Sequence, residues 1–184
     1  MKPCLAILAA AALATAAHAA PSPLAPMPLA PLPEGVEVEF SSAGADIVGR
    51  VAQLILTAKR EVLVSVYAMT DLRVLQALSQ VSQKGVIVAV LIDRSPPIKQ
   101  YDTPRFLRGE QIPVIFAKRG TDGKGWHNEH FIVIDREAVI LPTADLLSMA
   151  KRNNESMVVL RLPALAARYY NNWVTEAEQG DKVP

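Results

Sequence analysis

Two histidines stand close together in residues 125–145, and no other histidine occurs beyond the first 20 residues. His127 and His130 flank an amide and a carboxylate, Asn128 and Glu129. An imidazole can attack an electrophile or move a proton near neutral pH. These two side chains are therefore the first candidates for catalysis.

Metal binding is an alternative use of the same residues. His127, Glu129 and His130 all carry ligand atoms. Their spacing matches neither a helical H-x-x-x-H pair nor a zinc-finger pattern, and no ligand that would complete a site is evident. The pattern does not favour a metal centre.

Apolar periodicity predicts the elements that position this stretch. Thr70 is expected to cap the second helix and Gly85 to end it. Leu165, Tyr169 and Trp173 have the spacing of a packed helix face. The predicted strands are 36–40, 62–69, 86–93, 113–118, 130–135, 138–141 and 156–162, and the predicted helices are 46–60, 70–84, 104–108, 145–152 and 163–178.

Strands that alternate with helices predict an α/β domain with a mixed, mostly parallel sheet flanked by helices. Asp145, directly before the apolar "LLSMAKR", is also typical of a helix N-cap. Asn153, Asn154 and Glu155 would then form a turn between that helix and the next strand.

The N-terminus is typical of a secretory signal peptide over residues 1–19. Lys2 precedes an apolar run from Leu5 to Ala17, and Ala17-His18-Ala19 has the form of a cleavage site. A membrane anchor is the alternative, but the run is shorter than the roughly 20 residues that span a bilayer. We expect a periplasmic or secreted protein that begins near Ala20. Cys4 would be lost, which leaves no cysteine for disulfides or metal.

A Pro-rich linker, residues 20–34, follows and predicts an extended tether. The remaining residues, 35–184, have the size of one domain. Loss of Lys2 changes 19 basic and 18 acidic side chains to 18 of each, so the mature chain has no formal net charge. Generic polyanion binders are usually basic. Lys118, Arg119 and Lys124 could still form a local basic rim or simply a solvated loop.

The stretch resembles the active-site motif of the phospholipase D superfamily, H-x-K-x4-D-x6-G-S-x-N, and in particular its small exported endonuclease-like bacterial members with one motif per chain. Asp135 occupies the motif aspartate, and Thr143 and Asp145 fall on the G-S-x-N segment. Glu155 matches the acid of the later N-S-E-N segment. The likeness extends from residue 36 to the closing helix around Trp173.

The resemblance implies a single phospholipase D-like domain and a metal-independent reaction without a cofactor. In the family, two motifs meet across a twofold axis, one histidine attacks phosphorus and the other protonates the leaving oxygen. A chain with one motif would be expected to form a homodimer. The implied ligand is a phosphodiester of nucleic acid or phospholipid, and the implied contacts come from loops such as 94–103 and 119–125. Protein partners are not identified.

Most motif positions are changed in this chain. Asn128 stands where the family has its nucleophilic histidine, and His130 stands where it has lysine. A carboxamide nitrogen is not nucleophilic, because its lone pair is delocalised. Asp145 replaces asparagine, and an ionised carboxylate about 4 Å from a phosphate oxygen would repel it by roughly 4 kcal/mol at an effective dielectric near 20.

His127 is the remaining candidate nucleophile, but it lies one residue too far from Asp135. On a strand, a shift of one residue turns a side chain to the opposite face. A β-bulge near Glu129 could restore the direction. Trp126 could stack on a base or a headgroup, or pack against the sheet.

We therefore hypothesise a degenerate member that has lost most or all phosphodiesterase activity and acts in binding or assembly. The alternative is an active phosphodiesterase of phospholipase D or endonuclease type that uses His127 or His130. A purely structural dimer is a third possibility. The positions that match the family site are Asn128, His130, Thr143, Asp145 and Glu155.

Overall fold

The computed structural model describes residues 27–94, 102–118, 120 and 124–183. The predicted signal peptide, residues 1–19, and the start of the Pro-rich linker lie outside these ranges. The chain divides into Met1–Pro31 and Leu32–Pro184, and residues 27–31 of the first part have no regular secondary structure. None of the described helices is long and apolar enough to cross a bilayer.

Leu32–Pro184 contains one open sheet of eight strands in the order β1-β7-β6-β5-β2-β3-β4-β8. The strands are β1 (Val36–Phe40), β2 (Glu61–Val66), β3 (Ile87–Ile92), β4 (Val114–Phe116), β5 (Phe131–Ile134), β6 (Ala138–Pro142), β7 (Ser156–Leu160) and β8 (Asp181–Lys182). The helices are α1 (Ile47–Ile55), α2 (Leu72–Gln83), α3 (Thr103–Gly109) and α4 (Pro163–Gln179). The predicted α/β class, a mixed sheet flanked by helices, is confirmed.

The balance of strand directions differs from the expectation of a mostly parallel sheet. Only β2–β3 and β3–β4, two of the seven strand pairs described, are parallel. A parallel pair needs a crossover connection, whereas β5, β6 and β7 follow one another through loops and pair antiparallel.

Each face of the sheet has its own apolar core. Val62, Val64 and Ile132 belong to the core under α1 and α2, while Leu63 and Phe131 belong to the core under α4. This alternation follows from the two-residue period of a strand. As expected, α4 packs through Leu165, Tyr169 and Trp173, and the indole N–H of Trp173 donates to the backbone oxygen of Val64 at 2.9 Å.

Of the two predicted helix-end signals, the one at Gly85 is confirmed. Asp46 caps α1 by accepting the N–H of Gly49 at 3.0 Å, and Gly85, with φ of 87°, follows the end of α2. The predicted cap of α2 at Thr70 is wrong, because Asp71 accepts the N–H of Arg73 at 2.9 Å. The N–H of Thr70 donates to the backbone oxygen of Leu146 instead.

The predicted helix at 145–152 is also wrong. Leu146 forms an isolated parallel bridge with Met69, and only a single 3-10 turn at Ala150–Arg152 is helical. A long-range backbone pairing has overridden local helix propensity. Asp145 therefore caps no helix, and its carboxylate is available for other contacts.

Candidate functional site

The one unchanged motif residue, Asp135, lies in the tight turn between β5 and β6. Its φ is 55°, and its carboxylate accepts the N–H groups of Lys59 at 3.0 Å, Arg60 at 2.7 Å and Glu61 at 3.0 Å. Burial opposes ionisation, but these N–H groups outweigh it and hold the pKa of Asp135 below its ordinary value. Asp135 thus ties the β5–β6 turn to the start of β2.

The other motif positions meet at the opposite end of these strands, where β2 and β6 finish and β5 and β7 begin. The structure brings together Asn128, His130, Thr143, Asp145 and Glu155, a group called here the motif site. His130 Nε2 is 3.3 Å from Asn128 Oδ1, and His130 Nδ1 is 3.4 Å from Asp145 Oδ1.

The second half of the motif site is a hydrogen-bonded network around Glu155. The Thr143 hydroxyl donates to Glu155 Oε2 at 2.7 Å, and the Asn153 amide donates to Glu155 Oε1 at 3.1 Å. The Ser41 hydroxyl accepts the N–H of Glu155 at 2.7 Å. Asn153 and Glu155 therefore do more than form a turn, since both carboxylate oxygens of Glu155 have a donor.

Asp145 is less well satisfied than Glu155. Its Oδ1 and the facing His130 Nδ1 are both buried and have no hydrogen-bond partner. Burial raises the pKa of Asp145, and the nearby Glu155 carboxylate raises it further, whereas His130 and a hydrogen bond from the N–H of Ala68 lower it. Two carboxylates and one imidazole give the motif site an acidic character.

The side chain of His127 points away from that of His130 and faces α4. Its side chain is only 5% exposed, its Nε2 is 2.8 Å from Ser65 Oγ, and its Nδ1 is 3.6 Å from Glu176 Oε2. Its backbone N–H donates to Asp93 Oδ2 at 2.7 Å. Burial lowers the pKa of His127, partly offset by Asp93 and reinforced by His130.

Glu129 also points toward α4, where the amide of Asn172 donates to its Oε2 at 3.0 Å. The pKa of Glu129 is raised by burial, and that of Glu176 is raised by burial and then by the charge of Glu129. The surrounding α4 cleft has a volume of about 540 Å³ and is lined by Ala117, Lys118, Gly120, Trp126, His127, Asn128, Glu129, Asn172, Thr175, Glu176 and Gln179.

The arrangement separates the residues considered for metal binding. His127 and Glu129 face α4, whereas His130 faces Asp145. Within the described ranges, no group of three or more His, Cys, Asp or Glu side chains is placed to hold a metal ion.

The structure describes only part of the two loops, 94–103 and 119–125, that are expected to contact a ligand. Lys118 lines the α4 cleft, while Arg119 and parts of 94–103 and 119–125 lie outside the described residues. Trp126 is 57% exposed and meets Tyr67 edge to face, with ring centroids 6.1 Å apart.

Sequence reasoning missed Ser65, Asp93, Asn172 and Glu176. Asp93 follows the end of a buried strand, a position where polar residues often serve a site, and this signal could have identified it. Ser65 is hidden within an apolar strand, and Asn172 and Glu176 belong to a distant helix. Their contacts depend on the tertiary fold.

A family model described as "Cardiolipin synthase, PLD-like domain" matches residues 51–175. Among curated proteins, phospholipase D of Rickettsia bellii is 29% identical over 126 residues, which cover 68% of this chain and 61% of the relative. Phospholipase D of Rickettsia felis is also 29% identical, over 67% of this chain and 60% of the relative. The chain thus spans about 60% of the length of these relatives.

Solved structures show the same fold. Nuc, a phospholipase D family member from Salmonella typhimurium, has a TM-score of 0.70 and 22% identity and covers 80% of this chain and 97% of its own. NucT from Helicobacter pylori has a TM-score of 0.69 and 16% identity, with coverage of 80% and 99%. The fold is therefore shared with these two proteins over nearly their whole length.

Proposed function

Because the chain belongs to the phospholipase D-like family, we propose that it is a degenerate member that binds a phosphodiester group and has lost most or all hydrolytic activity. The group is the one shared by nucleic acid and phospholipid. The motif site is the proposed binding position, and the protein acts through binding or assembly.

One observation carries this proposal: Asn128 occupies the position of the family nucleophile, and the two histidines face protein carboxylates, His127 facing Glu176 and His130 facing Asp145. Asn128 and Asp145 present oxygen atoms to the two nitrogens of His130 at 3.3 and 3.4 Å. An Nε2–H that donates to Asn128 Oδ1 has no lone pair left on that nitrogen, and Nδ1 is buried against Asp145. In the family, the attacking imidazole has to keep one nitrogen unprotonated.

His127 is held away from the motif site. Its Nε2 is 2.8 Å from the Ser65 hydroxyl, and its Nδ1 lies 3.6 Å from Glu176 Oε2. The side chain is almost fully buried and lies on the α4 side of the segment.

The remaining replacements act in the same direction. Asn128 lacks a nucleophilic nitrogen, and Asp145 places an acid where an oxyanion would have to be stabilised. Glu155 adds a second acid to the site. The absence of a nucleophile at Asn128 and the two acids in the site together support weak or absent hydrolysis.

We further propose that the protein is exported after cleavage of residues 1–19 and works as a homodimer. Apolar side chains are exposed at the motif end of the sheet: Leu72 is 51% exposed, Trp126 is 57% exposed and Met149 is 66% exposed. A contiguous exposed apolar patch marks an interface, and these three side chains are the proposed members of such a patch. A purely structural dimer would use the same surface without a ligand.

The test is hydrolysis of bis(p-nitrophenyl) phosphate by the purified mature chain, without added metal. The matched variant carries His127→Ala and His130→Ala. The proposal predicts no difference in rate between the two proteins. Turnover that is lost in the variant would reject it and would identify a rebuilt active site.

An active, metal-independent phosphodiesterase is the second candidate, and one contact favours it. Asp145 lies 3.4 Å from Nδ1 of His130, and a carboxylate in this position can orient an imidazole for catalysis. This candidate predicts a phosphohistidine on His130 or His127 during turnover. Rapid acid-free quenching followed by mass spectrometry would detect it, and its absence during measurable turnover would count against this mechanism.

A further inference from the structure

We infer that Asp145 determines which ligands the motif site accepts: a phosphodiester anion binds when the Asp145 carboxyl is protonated and is repelled when it is ionised. This inference rests on the proposed function, because it takes the motif site to be a binding site. It assigns Asp145 a role in setting the affinity of the motif site for a phosphodiester, and it names protonation of Asp145 as the condition for binding.

The first support is the incomplete bonding of Asp145. Its Oδ1 is buried and has no hydrogen-bond partner, and the facing Nδ1 of His130 is also without one at 3.4 Å. A buried acceptor without a donor is unfavourable. Protonation of the Asp145 carboxyl removes this unfavourable arrangement, because a carboxylic acid can donate a hydrogen bond as well as accept one.

The second support is the contrast between the two acids of the motif site. Glu155 receives donors on both oxygens, from Thr143 and Asn153. Asp145 receives the N–H of Ala68 and faces His130. Of the two acids, Asp145 is the one with an oxygen that lacks a donor, so protonation there removes an unsatisfied buried acceptor.

The third support is the set of charges that face Asp145. His130, on the segment that leads into β5, and Glu155, at the start of β7, are the two titratable groups that act on its carboxyl. Burial raises the pKa of Asp145 most strongly and Glu155 adds to that rise, while His130 and the N–H of Ala68 oppose it. Proton uptake therefore begins at a higher pH than for an ordinary aspartate.

The consequence has a definite sign. With Asp145 ionised, its charge repels an anion bound beside it. When Asp145 takes up a proton, this repulsion is removed and the carboxyl can donate to a phosphate oxygen. Affinity for a phosphodiester should therefore rise as the pH falls through the pKa of Asp145.

The experiment measures binding of dimethyl phosphate by phosphorus NMR between about pH 8 and pH 4, a range that extends down to the ordinary aspartate pKa of about 3.9. This diester keeps one negative charge throughout and is too unreactive to be hydrolysed during the measurement. The wild-type chain should bind more tightly as the pH falls. A wild-type affinity that does not change with pH would overturn the inference.

Variants separate Asp145 from His130. Asp145→Asn keeps the shape of the side chain and removes the charge, so it should bind roughly tenfold more tightly than wild type near pH 8, which corresponds to one pKa unit of interaction. The control Glu129→Gln removes an acid from the same segment, on the side that faces α4. It should leave the affinity unchanged.

An Asp145→Asn variant that binds no more tightly than wild type near pH 8, or an equal gain in Glu129→Gln, would contradict the inference. These outcomes are independent of hydrolysis, which is measured with bis(p-nitrophenyl) phosphate and the histidine variants. Hydrolysis and pH-dependent binding are therefore measured separately, so failure of the proposed function can be distinguished from failure of this inference.

Discussion

Replacement of Asp135 by asparagine should destabilise the domain without any direct effect on the motif site. The carboxylate of Asp135 accepts three backbone N–H groups, those of Lys59, Arg60 and Glu61. A hydrogen bond to a charged acceptor contributes about 1.5–3 kcal/mol, and one to a neutral acceptor about 0.5–1.5 kcal/mol. An asparagine keeps one acceptor oxygen, so it retains part of this bonding.

The expected loss in the free energy of unfolding is about 2–3 kcal/mol, from one N–H group left without its acceptor and two bonds weakened by loss of charge. Urea denaturation followed by circular dichroism measures it. The matched control is Glu137→Gln in the same turn, whose side chain is 69% exposed and pairs with Arg60. An exposed pair contributes about 0–1 kcal/mol, so the control should stay within that range.

The difference between Asp135→Asn and wild type should also depend on pH. The folded state lowers the pKa of Asp135, so its ionised form adds stability that is complete above the unfolded pKa of about 3.9. This stability is lost as the pH falls through the folded pKa. A variant as stable as wild type near neutral pH, or a difference that does not shrink in acid, would refute a structural role for this motif residue.

Three further outcomes follow from the same contacts. Trp173→Phe should lower the free energy of unfolding by about 1–2 kcal/mol, because the backbone oxygen of Val64 loses its buried donor; urea denaturation measures this, and an unchanged midpoint would contradict it. His127→Gln should cost less than His127→Ala, because glutamine can still bond Ser65; equal losses would show that this contact contributes little. Met149→Lys should weaken the proposed dimer, since it places a charge among exposed apolar groups; light scattering at several concentrations would detect dissociation, and an unchanged dimer would exclude this surface.

Local patterns were enough to predict most of the fold. The helix at 163–178 agrees closely with Pro163–Gln179, because proline starts it and its apolar spacing is regular. The predicted helix at 145–152 failed because Leu146 pairs with Met69, more than 70 positions earlier in the chain. β8, Asp181–Lys182, was missed because two polar residues carry no strand pattern and pair with β4 only in the folded chain.

Spacing within one segment also says much about the site. Asn128 and His130 are two residues apart and lie close together, while Glu129 contacts α4, an alternation of the kind found along an extended chain. Spacing could not identify Glu176, which belongs to the last helix. Long-range contacts of this kind are fixed by packing and leave no mark in a single sequence.

The most direct test of the central claim compares the natural chain with a variant that restores the family residues at three positions, Asn128→His, His130→Lys and Asp145→Asn. Both proteins are assayed for hydrolysis of bis(p-nitrophenyl) phosphate without metal. The account predicts negligible turnover by the natural chain and measurable turnover by the restored one. Turnover by the natural chain that equals or exceeds that of the restored variant would contradict a degenerate site.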